Sequence, residues 1–334
     1  MTALGPEKLT EISASPAVSV LVVAELGEEV ATISSLQSQN YDKPLEVVVV
    51  RGGNRSQARN IAIAASKAPL IAFIDADCHA PPDWLTNLVS ALPSEETIVG
   101  IGGVSKSHDS SRTWQKAIDA VFSTYLGTLD SPSLVSVPKL GRLPIKALSN
   151  HNSLFRKNAL VEVGGYDERF ELNEDTDLCA RLREKGYRLI LDRSIYVYHK
   201  RRTSLASFAN QFFRYGIGRM RSMLTHSRYV DLRILGLFTG TIALTATALF
   251  WHDLVLFVST IYFIVTLIGS LIAAAKFRSI HILPYVLILF PVEHFSFLAG
   301  MLLGLFLGRW NKTGPPNPAY QINILHKPGP SITQ

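Results

Sequence analysis

Asp75 and Asp77 are two carboxylates that directly follow an apolar run, residues 70–74. Side chains alternate along a β-strand, so the two carboxylates are expected to point the same way. At the carboxyl end of a strand in an open α/β sheet, such a pair can hold a hard divalent cation, which in turn can hold a diphosphate. The simpler alternative is an acidic turn before the next helix, with Asp83 as its capping residue.

Glu174 and Asp175 form a second acidic pair, at the start of a helix predicted over residues 174–185. A carboxylate within hydrogen-bond reach of a hydroxyl group can take its proton while the oxygen attacks an electrophile. Acidic side chains at a helix N-terminus also stabilise the helix without any catalytic role. These two interpretations are compatible, and the sequence leaves both open.

The stretches that must position these acids alternate between buried strands and amphipathic helices. Strands are predicted over residues 18–24, 45–50 and 70–75, with helices over 28–39 and 57–67 between them. This β-α-β-α-β order indicates an α/β fold with a doubly wound, mostly parallel, Rossmann-like sheet. Further along the chain we predict strands over 98–104, 148–155 and 187–197 (the last as a strand pair), a loop over 131–144, and helices over 114–126, 158–163 and 203–223.

The C-terminal third is apolar enough to enter a membrane. Residues 234–251 and 254–275 are uncharged runs of 18 and 22 residues, each long enough to cross the hydrocarbon core. Residues 279–308 are also apolar but contain Pro291, Glu293 and His294, so they form either one broken span or a re-entrant hairpin. The cost of charged groups at membrane depth slightly favours the hairpin.

Basic residues are concentrated directly before these runs. Residues 200–233 contain eight Lys or Arg and one acid, Asp231. The positive-inside rule therefore predicts a multi-pass protein of the cell membrane whose N-terminal domain is cytoplasmic. Because the basic residues adjoin a membrane span, we expect anionic lipid headgroups and not nucleic acid as their partner.

These patterns divide the chain into five parts. We expect an N-terminal tail (1–16), an α/β domain (17–202), amphipathic interfacial helices (203–231), a membrane region of two spans plus a third span or hairpin (232–308), and a C-terminal tail (309–334). The last part contains five prolines and is expected to be poorly ordered.

The order of six landmarks makes residues 18–221 resemble the family 2 glycosyltransferases, which have the GT-A fold. These landmarks are the first strand, Ala58-Arg59-Asn60, Asp75-Ala76-Asp77, Gly164-Gly165-Tyr166-Asp167-Glu168, Glu174-Asp175-Thr176-Asp177-Leu178 and Gln211-Phe212-Phe213-Arg214-Tyr215. The resemblance implies a GT-A domain that uses a divalent metal, Mn²⁺ or Mg²⁺, and transfers a sugar with inversion from a nucleotide-diphosphate sugar to a saccharide or lipid-linked acceptor. The membrane-anchored form is similar to enzymes of exopolysaccharide and lipid-linked saccharide assembly.

The resemblance also assigns roles to individual residues. It assigns Asp77 and His199 as metal ligands. His199 could equally well be a surface histidine in a basic cluster. The resemblance makes Asp175 the general base. The residues expected at the donor are Glu25, Arg59, Asp75, Gln211, Arg214 and Tyr215, and those expected at the acceptor are Gly165 and Glu174. Gly165 could equally stop a helix, and the segment 211–215 could be one more turn of an interfacial helix.

The sequence departs from the family after the second strand, and this leaves the nucleobase open. Relatives usually have acids there, whereas this chain has Arg51-Gly52-Gly53. Three alternatives also stay open at this stage. They are a polyprenyl-phosphate sugar synthase, whose phosphate acceptor needs no base; a nucleotidyltransferase, although residues 25–29 are acidic where that class is basic; and a non-catalytic membrane scaffold.

Overall fold

Three parallel strands form the first half of the sheet in the computed structural model, which describes residues 15–28, 30–108, 112–128, 141–170, 172–225, 230–247, 250–309 and 320–327. Strand β1 (Val18–Ala24) lies between β2 (Leu45–Arg51) and β3 (Leu70–Phe73), and both neighbours are parallel to it. These strands are almost continuous runs of buried apolar residues, as expected for a parallel sheet that is covered on both faces. The predicted doubly wound half of the sheet is thus confirmed.

The rest of the sheet is mixed and lies on both sides of these three strands. Within the described residues the strand order is β4-β8-β5-β7-β3-β1-β2-β9, with β6 paired to β8. Strands β5 and β8 are parallel, whereas the pairs that involve β4, β6, β7 and β9 are antiparallel. These strands are β4 (Cys78–His79), β5 (Ile98–Lys106), β6 (Arg142–Pro144), β7 (Ser153–Arg156), β8 (Arg188–His199) and β9 (Gln321–Lys327).

Helices cover both faces of the sheet and continue into a C-terminal helical layer. The helices around the sheet are α1 (Thr32–Gln37), α2 (Arg55–Ala65), α3 (Trp84–Ala91), α4 (Thr113–Phe122), α5 (Tyr125–Thr128), α6 (Lys157–Glu162) and α7 (Glu174–Glu184). The C-terminal layer contains α8 (Leu205–Thr225), α9 (Leu232–Thr247), α10 (His252–Lys276) and α11 (Leu283–Leu307).

Three local predictions differ from the structure. The predicted strand pair over 187–197 is one long strand, β8, because it pairs with β5 along most of its length. Asn150, His151 and Asn152 precede β7 in a turn and are not part of a strand. Most of the predicted loop 131–144 lies outside the described residues, but residues 142–144 form β6 on the side of β8.

Two helical segments of the described chain are long and apolar enough to cross a membrane. They are His252–Lys276 and Ile280–Leu307, the second of which includes a 3-10 turn before α11. Helix α9 has 16 residues and is shorter than a typical span, so the first predicted span is not reproduced at full length. Helix α11 is continuous through Pro291, so the re-entrant hairpin that the sequence slightly favoured is wrong. Neighbouring helices can compensate for the missing backbone donor at a proline, and α11 has such a neighbour in α8.

The backbones of α8 and α11 touch directly at glycines. A Cβ atom at Gly216 would lie 2.0 Å from the carbonyl oxygen of Phe297, and one at Gly300 would lie 2.0 Å from that of Phe213. Small residues at these positions allow the close approach that is common between packed apolar helices. Helix α8 is amphipathic, as predicted, but it packs its apolar side, including buried Phe208 and Phe212, against protein.

The C-terminal segment differs most from its prediction. Strand β9 pairs antiparallel with β2 along its whole length, from Gln321 opposite Arg51 to Lys327 opposite Leu45. The hydroxyl of Tyr320 donates a 2.5 Å hydrogen bond to Gln57 on α2. The five prolines lie outside this strand, three before it and two after it, and the segment between them pairs with the edge of β2.

Candidate active site

One large cavity, of about 1200 Å³, contains most of the acids and bases that the sequence singled out. It lies at the carboxyl ends of β1 and β3 and extends to helices α8, α9 and α11. Asp75, Asp77, Glu174, Asp175 and His199 all line it. The carboxyl-edge location is where ligands bind in open α/β sheets.

Asp75 and Asp77 reach the cavity from a turn and not from a strand. Strand β3 ends at Phe73, and the backbone amide of Cys78 donates to the carbonyl of Asp75 across the turn. Strand alternation therefore does not orient the two carboxylates. They face different partners: Asp75 lies 4.0 Å from Arg59, and Asp77 lies 3.5 Å from His199.

Asp77 and His199 meet because β4 pairs with the end of β8. Cys78 is the register partner of His199, and this places the Nε2 atom of His199 near the Oδ1 atom of Asp77. Asp77, Cys78 and His199 each offer one atom that could bind a metal ion, and these three atoms lie within 4.8 Å of one another. Burial lowers the pKa of His199 to about 4, so its ring is neutral and can act as a metal ligand.

The chemistry of this group fits Mn²⁺ or Mg²⁺ better than a thiolate-bound metal. Burial raises the pKa of the Cys78 thiol well above its usual value, and the side chain belongs to the hydrophobic core. Burial and the neighbouring Asp75 also raise the pKa of Asp77, which indicates a carboxylate that gains from a nearby cation. The Nδ1 atom of His199 and the Nε2 atom of His151 are buried without a hydrogen-bond partner in the described part of the chain.

His151 belongs to the same group of residues, although the sequence gave no sign of it. Its ring centre lies 5.8 Å from that of His199, and its Nδ1 atom lies 2.6 Å from the hydroxyl of Ser149. Burial lowers the pKa of His151 to about 4. The turn before β7 places His151 in the cavity. This position cannot be predicted from the spacing of residues in the sequence.

Of the two acids at the start of α7, Glu174 forms an ion pair with Arg59, and Asp175 forms none with any residue that the structure describes. Glu174 accepts a 2.7 Å hydrogen bond from buried Arg59. Asp175 accepts a 2.7 Å hydrogen bond from the backbone amide of Thr176. Burial, and then the adjacent Glu174, raise the pKa of Asp175 to about 7. A carboxyl group with this pKa can accept a proton at neutral pH and is suited to general base catalysis.

One face of α8 forms the floor of the cavity. Gln211 accepts a 3.2 Å hydrogen bond from Arg202 and donates a 2.8 Å bond to the hydroxyl of Tyr215, one turn further on. Both line the cavity, and so does Arg219 after one more turn. Arg214, in contrast, is exposed and lies outside the lining. Arg214 lies next to Gln211 around the circumference of α8. The cavity, however, lies on the side of the helix that carries Phe212, and Arg214 points away from that side.

Two other expected residues also lie outside the cavity lining. Glu25 is exposed, and its backbone amide donates to Glu28, whose side chain lines the cavity instead. Gly165 has a φ of 68°, and a Cβ atom there would lie 2.5 Å from the Oδ1 atom of Asn60. The Asn60 side chain bonds the backbone on both sides of Tyr166, so Gly165 serves a tight turn.

A comparison with protein families identifies the family to which this chain belongs. Residues 70–303 match the model described as "Glycosyl transferase family group 2". The chain belongs to this family. The match begins at β3, includes both acidic pairs and extends into α11. This match confirms the predicted family. The alternative assignment as a nucleotidyltransferase is therefore no longer supported.

Individual members of glycosyl transferase family group 2 match about half of the chain. The succinoglycan biosynthesis protein ExoA of Rhizobium meliloti is 33% identical over 185 residues, which are 54% of this chain and 53% of ExoA. The pre-mycofactocin glycosyltransferase of Mycobacterium tuberculosis is 29% identical over 160 residues, 48% of this chain and 33% of that protein. The glucosyl-dolichyl phosphate glucuronosyltransferase of Haloferax volcanii is 23% identical over 204 residues, 51% of this chain and 63% of that protein. The chain thus spans only a third to two thirds of these relatives.

A solved structure confirms the fold class. The chain superposes with a TM-score of 0.54 on the mannosyltransferase PcManGT from Pyrobaculum calidifontis, which was solved in complex with GDP-Man and Mn²⁺. The two share 14% sequence identity, and the match covers 88% of each chain. At this identity the likeness concerns the GT-A fold, with its C-terminal apolar helices, and not the substrates.

Proposed function

We propose that this protein is a metal-dependent, inverting glycosyltransferase of polysaccharide or glycoconjugate biosynthesis. It takes a nucleotide-diphosphate sugar and transfers the sugar to a hydroxyl group of a saccharide or lipid-linked acceptor. The observation that carries the proposal is one cavity that holds the Asp77–His199 pair and, separately, an Asp175 carboxyl group with a pKa of about 7. Membership of glycosyl transferase family group 2 supports it.

Asp77 and His199 would hold Mn²⁺ or Mg²⁺, whose charge offsets the negative charge that grows on the diphosphate leaving group. The neutral ring of His199 supports this assignment. So do two buried ring nitrogens, one each of His151 and His199, that have no hydrogen-bond partner among the described residues. Asp75 would contact the donor, held in place by Arg59 at 4.0 Å. Arg59 also lines the cavity, and it pairs with Glu174 and lies near Asp75.

On the other side of the cavity, Gln211 and Tyr215 offer polar groups to the donor diphosphate, with Arg202 bonded to Gln211. Asp175 removes the proton from the attacking hydroxyl group. Glu174 forms an ion pair with Arg59. It would therefore orient the start of α7 and would not compete with Asp175 for the proton. A single base on the acceptor side and direct attack on the anomeric carbon give inversion.

Membrane attachment is part of the proposal. Helix α10 and the segment Ile280–Leu307 are the candidate spans, and many of their large apolar side chains are exposed. The basic stretch before α9 supports a multi-pass arrangement with the catalytic domain on the cytoplasmic side.

The test is a calorimetric titration of the full chain in detergent with a panel of nucleotide-diphosphate sugars, with and without Mn²⁺. We expect at least one donor to bind, and to bind more weakly when the metal is chelated. The anomeric configuration of the product, read by NMR, tests inversion. If no nucleotide sugar binds with or without metal, the proposal is wrong, and a scaffold without catalytic function is the better account.

A further inference from the structure

We propose that α11 does not cross the membrane but lies along its surface, and that the exposed apolar face of this helix is where the α/β domain rests on the lipid. By length and mean hydropathy alone, the segment Ile280–Leu307 qualifies as a membrane span. Its contacts, however, join it to the α/β domain from one end to the other. The inference concerns membrane binding and does not depend on the proposed reaction.

The start of α11 packs on α4, a helix of the α/β domain. Val286 shares a buried apolar cluster with Ile118 and Phe122 of α4. Helix α4 is bonded in turn to the end of β5, because Asp119 accepts a 2.7 Å hydrogen bond from the backbone amide of Ser107. The start of α11 therefore lies on the α/β domain.

The middle of α11 lies beside the cavity. Glu293 is 3% exposed, and it lines the cavity together with His294 and Phe297. The Nε2 atom of His294 donates a 3.0 Å hydrogen bond to the backbone carbonyl of Leu126 in α5. In a membrane span, Glu293 and His294 would lie near the centre of the bilayer, where ionisable groups are costly. A position along the membrane surface removes this cost, because protein and cavity then surround both side chains.

The end of α11 runs beside α8, the helix that forms the floor of the cavity. The guanidinium of Arg221 on α8 donates hydrogen bonds of 3.2 Å and 3.3 Å to the backbone carbonyls of Gly308 and Arg309. The next residue of α8, Ser222, accepts a 3.3 Å hydrogen bond from the side-chain amide of Asn173, directly before α7. The end of α11 is therefore joined to the α/β domain as well.

The chain before and after α11 also lies on the side of the α/β domain. The Nζ atom of Lys276, at the end of α10, donates a 2.8 Å hydrogen bond to the backbone carbonyl of Ser123, directly after α4. Strand β9, which follows α11, pairs with β2 within the sheet. If α11 crossed the membrane, residues 309–321 would have to cross back, and they are too few for a span of about 20 residues.

The exposed face of α11 is apolar. Ile288, Phe295 and Leu302 are 50%, 57% and 42% exposed, and their seven-residue spacing places them in one row along the helix. Basic residues flank α11 on both sides, namely Lys276, Arg278 and Arg309. An apolar row between basic residues fits the boundary between acyl chains and anionic headgroups.

The first experiment measures the depth of α11 in the bilayer. The full-chain variants Ile288→Cys, Phe295→Cys and Leu302→Cys are labelled with a nitroxide and reconstituted into vesicles of phosphatidylcholine and phosphatidylglycerol. Relaxation of each label by oxygen and by a water-soluble nickel chelate gives its depth, and the wild type, whose two cysteines are buried, gives the background. We expect the three depths to agree within about 5 Å, whereas a span, at about 1.5 Å per residue, would place the central label about 10 Å deeper than the others.

The second experiment asks on which side of the membrane the two ends of α11 lie. Ser279→Cys and Arg309→Cys are treated with a membrane-impermeant maleimide in intact cells of the expression host and in sealed inside-out vesicles. Asn87→Cys, at an exposed position of α3 in the α/β domain, is the reference. We expect all three variants to react from the same side, and from the other side only after detergent has opened the membrane.

Three results would overturn the inference. Reaction of Ser279→Cys and Arg309→Cys from opposite sides, or a central label about 10 Å deeper than its neighbours, would show that α11 crosses the membrane. Labels on α11 that the nickel chelate relaxes as readily as oxygen, or that neither relaxes, would show that this face meets water or protein and not lipid. These readouts need neither donor nor metal, so a failure of the proposed glycosyltransferase function would leave them interpretable.

Discussion

The Nη1 atom of Arg59 lies 2.7 Å from the Oε1 atom of Glu174, so this ion pair occupies the first of the two adjacent acids that begin α7. Asp175, the second acid, has no ion pair within the described residues, and its pKa is raised to about 7. The buried arginine thus pairs with Glu174, whereas burial and the adjacent Glu174 raise the pKa of Asp175. The difference supports a single base and leads to the first two predictions.

Asp175→Asn should lower the turnover of sugar transfer to a hydroxyl acceptor by about 10²–10⁴-fold, the usual contribution of a positioned base. The amide keeps the shape and the hydrogen bond from Thr176 but cannot accept the proton. Donor affinity should stay within about twofold, which marks an interaction made mainly in the transition state. Steady-state kinetics and donor titration provide the two readouts.

Asp177→Asn is the matched control for this variant. Asp177 is buried and bonded to Arg181 at 2.6 Å, and it does not line the cavity. Its amide variant should lower the thermal midpoint but keep turnover at temperatures where the protein is folded. Equal losses of turnover in both variants, or full activity of Asp175→Asn with a phosphate acceptor, would contradict the base assignment. The second result would favour a polyprenyl-phosphate sugar synthase.

The pH dependence should follow the same carboxyl group. Below its pKa of about 7, kcat/KM should fall by about tenfold per pH unit as Asp175 becomes protonated. Because the pKa of this acid is higher in the folded than in the unfolded chain, the residue destabilises the fold progressively as the pH rises from about 4 to about 7. Asp175→Asn should therefore raise the thermal midpoint more at about pH 8 than at about pH 5. A flat kcat/KM between these values would show that Asp175 is not the titrating group.

Asp77→Ala should abolish the part of donor affinity that depends on Mn²⁺, while near- and far-ultraviolet circular dichroism stays native. Asp77 provides the carboxylate that faces His199, and its side chain is 41% exposed, so its loss leaves no core cavity. Cys78→Ala is the control, because the thiol of Cys78 is protonated and packs in the core. It should cost some stability but keep metal-dependent binding. If the donor affinity of Asp77→Ala still depended on Mn²⁺, Asp77 would not be a ligand of the metal.

Gly300→Ala should destabilise the protein by about 1–3 kcal/mol, because the new methyl group would overlap the backbone of α8. The Cβ atom would lie 2.0 Å from the carbonyl oxygen of Phe213. Gly236→Ala on α9 is the matched control, since nothing lies within 4 Å of its added Cβ atom. Thermal unfolding in detergent should show a lower midpoint for the first variant and an unchanged or higher midpoint for the second. Equal midpoints would mean that α8 and α11 are not in backbone contact.

The full chain should need detergent to stay in solution, because α10 and α11 expose many large apolar side chains. A truncation after residue 225 should not solve this problem, although it removes both candidate spans. It uncovers the side of α8 that packs against α11, including Phe212 and Met220. Size-exclusion chromatography without detergent should therefore show aggregation of both forms, and a monodisperse truncated form would contradict the packing of α8.

The sequence by itself determined the parallel strands β1 to β3, the family and the two acidic pairs. These features depend on patterns that are local in the chain: continuous apolar runs, helix periodicity and short motifs at fixed order. The apolar runs also revealed the C-terminal helices. The sequence could not tell whether the third run turns back at Pro291, because that depends on the contact of α11 with α8 at Gly216 and Gly300.

Only the tertiary structure decided which polar residues share the cavity. His199 meets Asp77 through the pairing of β4 with β8, and His151 arrives from a turn before another strand. Glu25, Gly165 and Arg214 fit the motifs but lie outside the lining, whereas Arg219 had no motif and lies within it. Strand β9 likewise became visible only through its partner β2. Such juxtapositions depend on contacts between distant segments, and no periodicity or spacing within one segment records which distant segment it will meet.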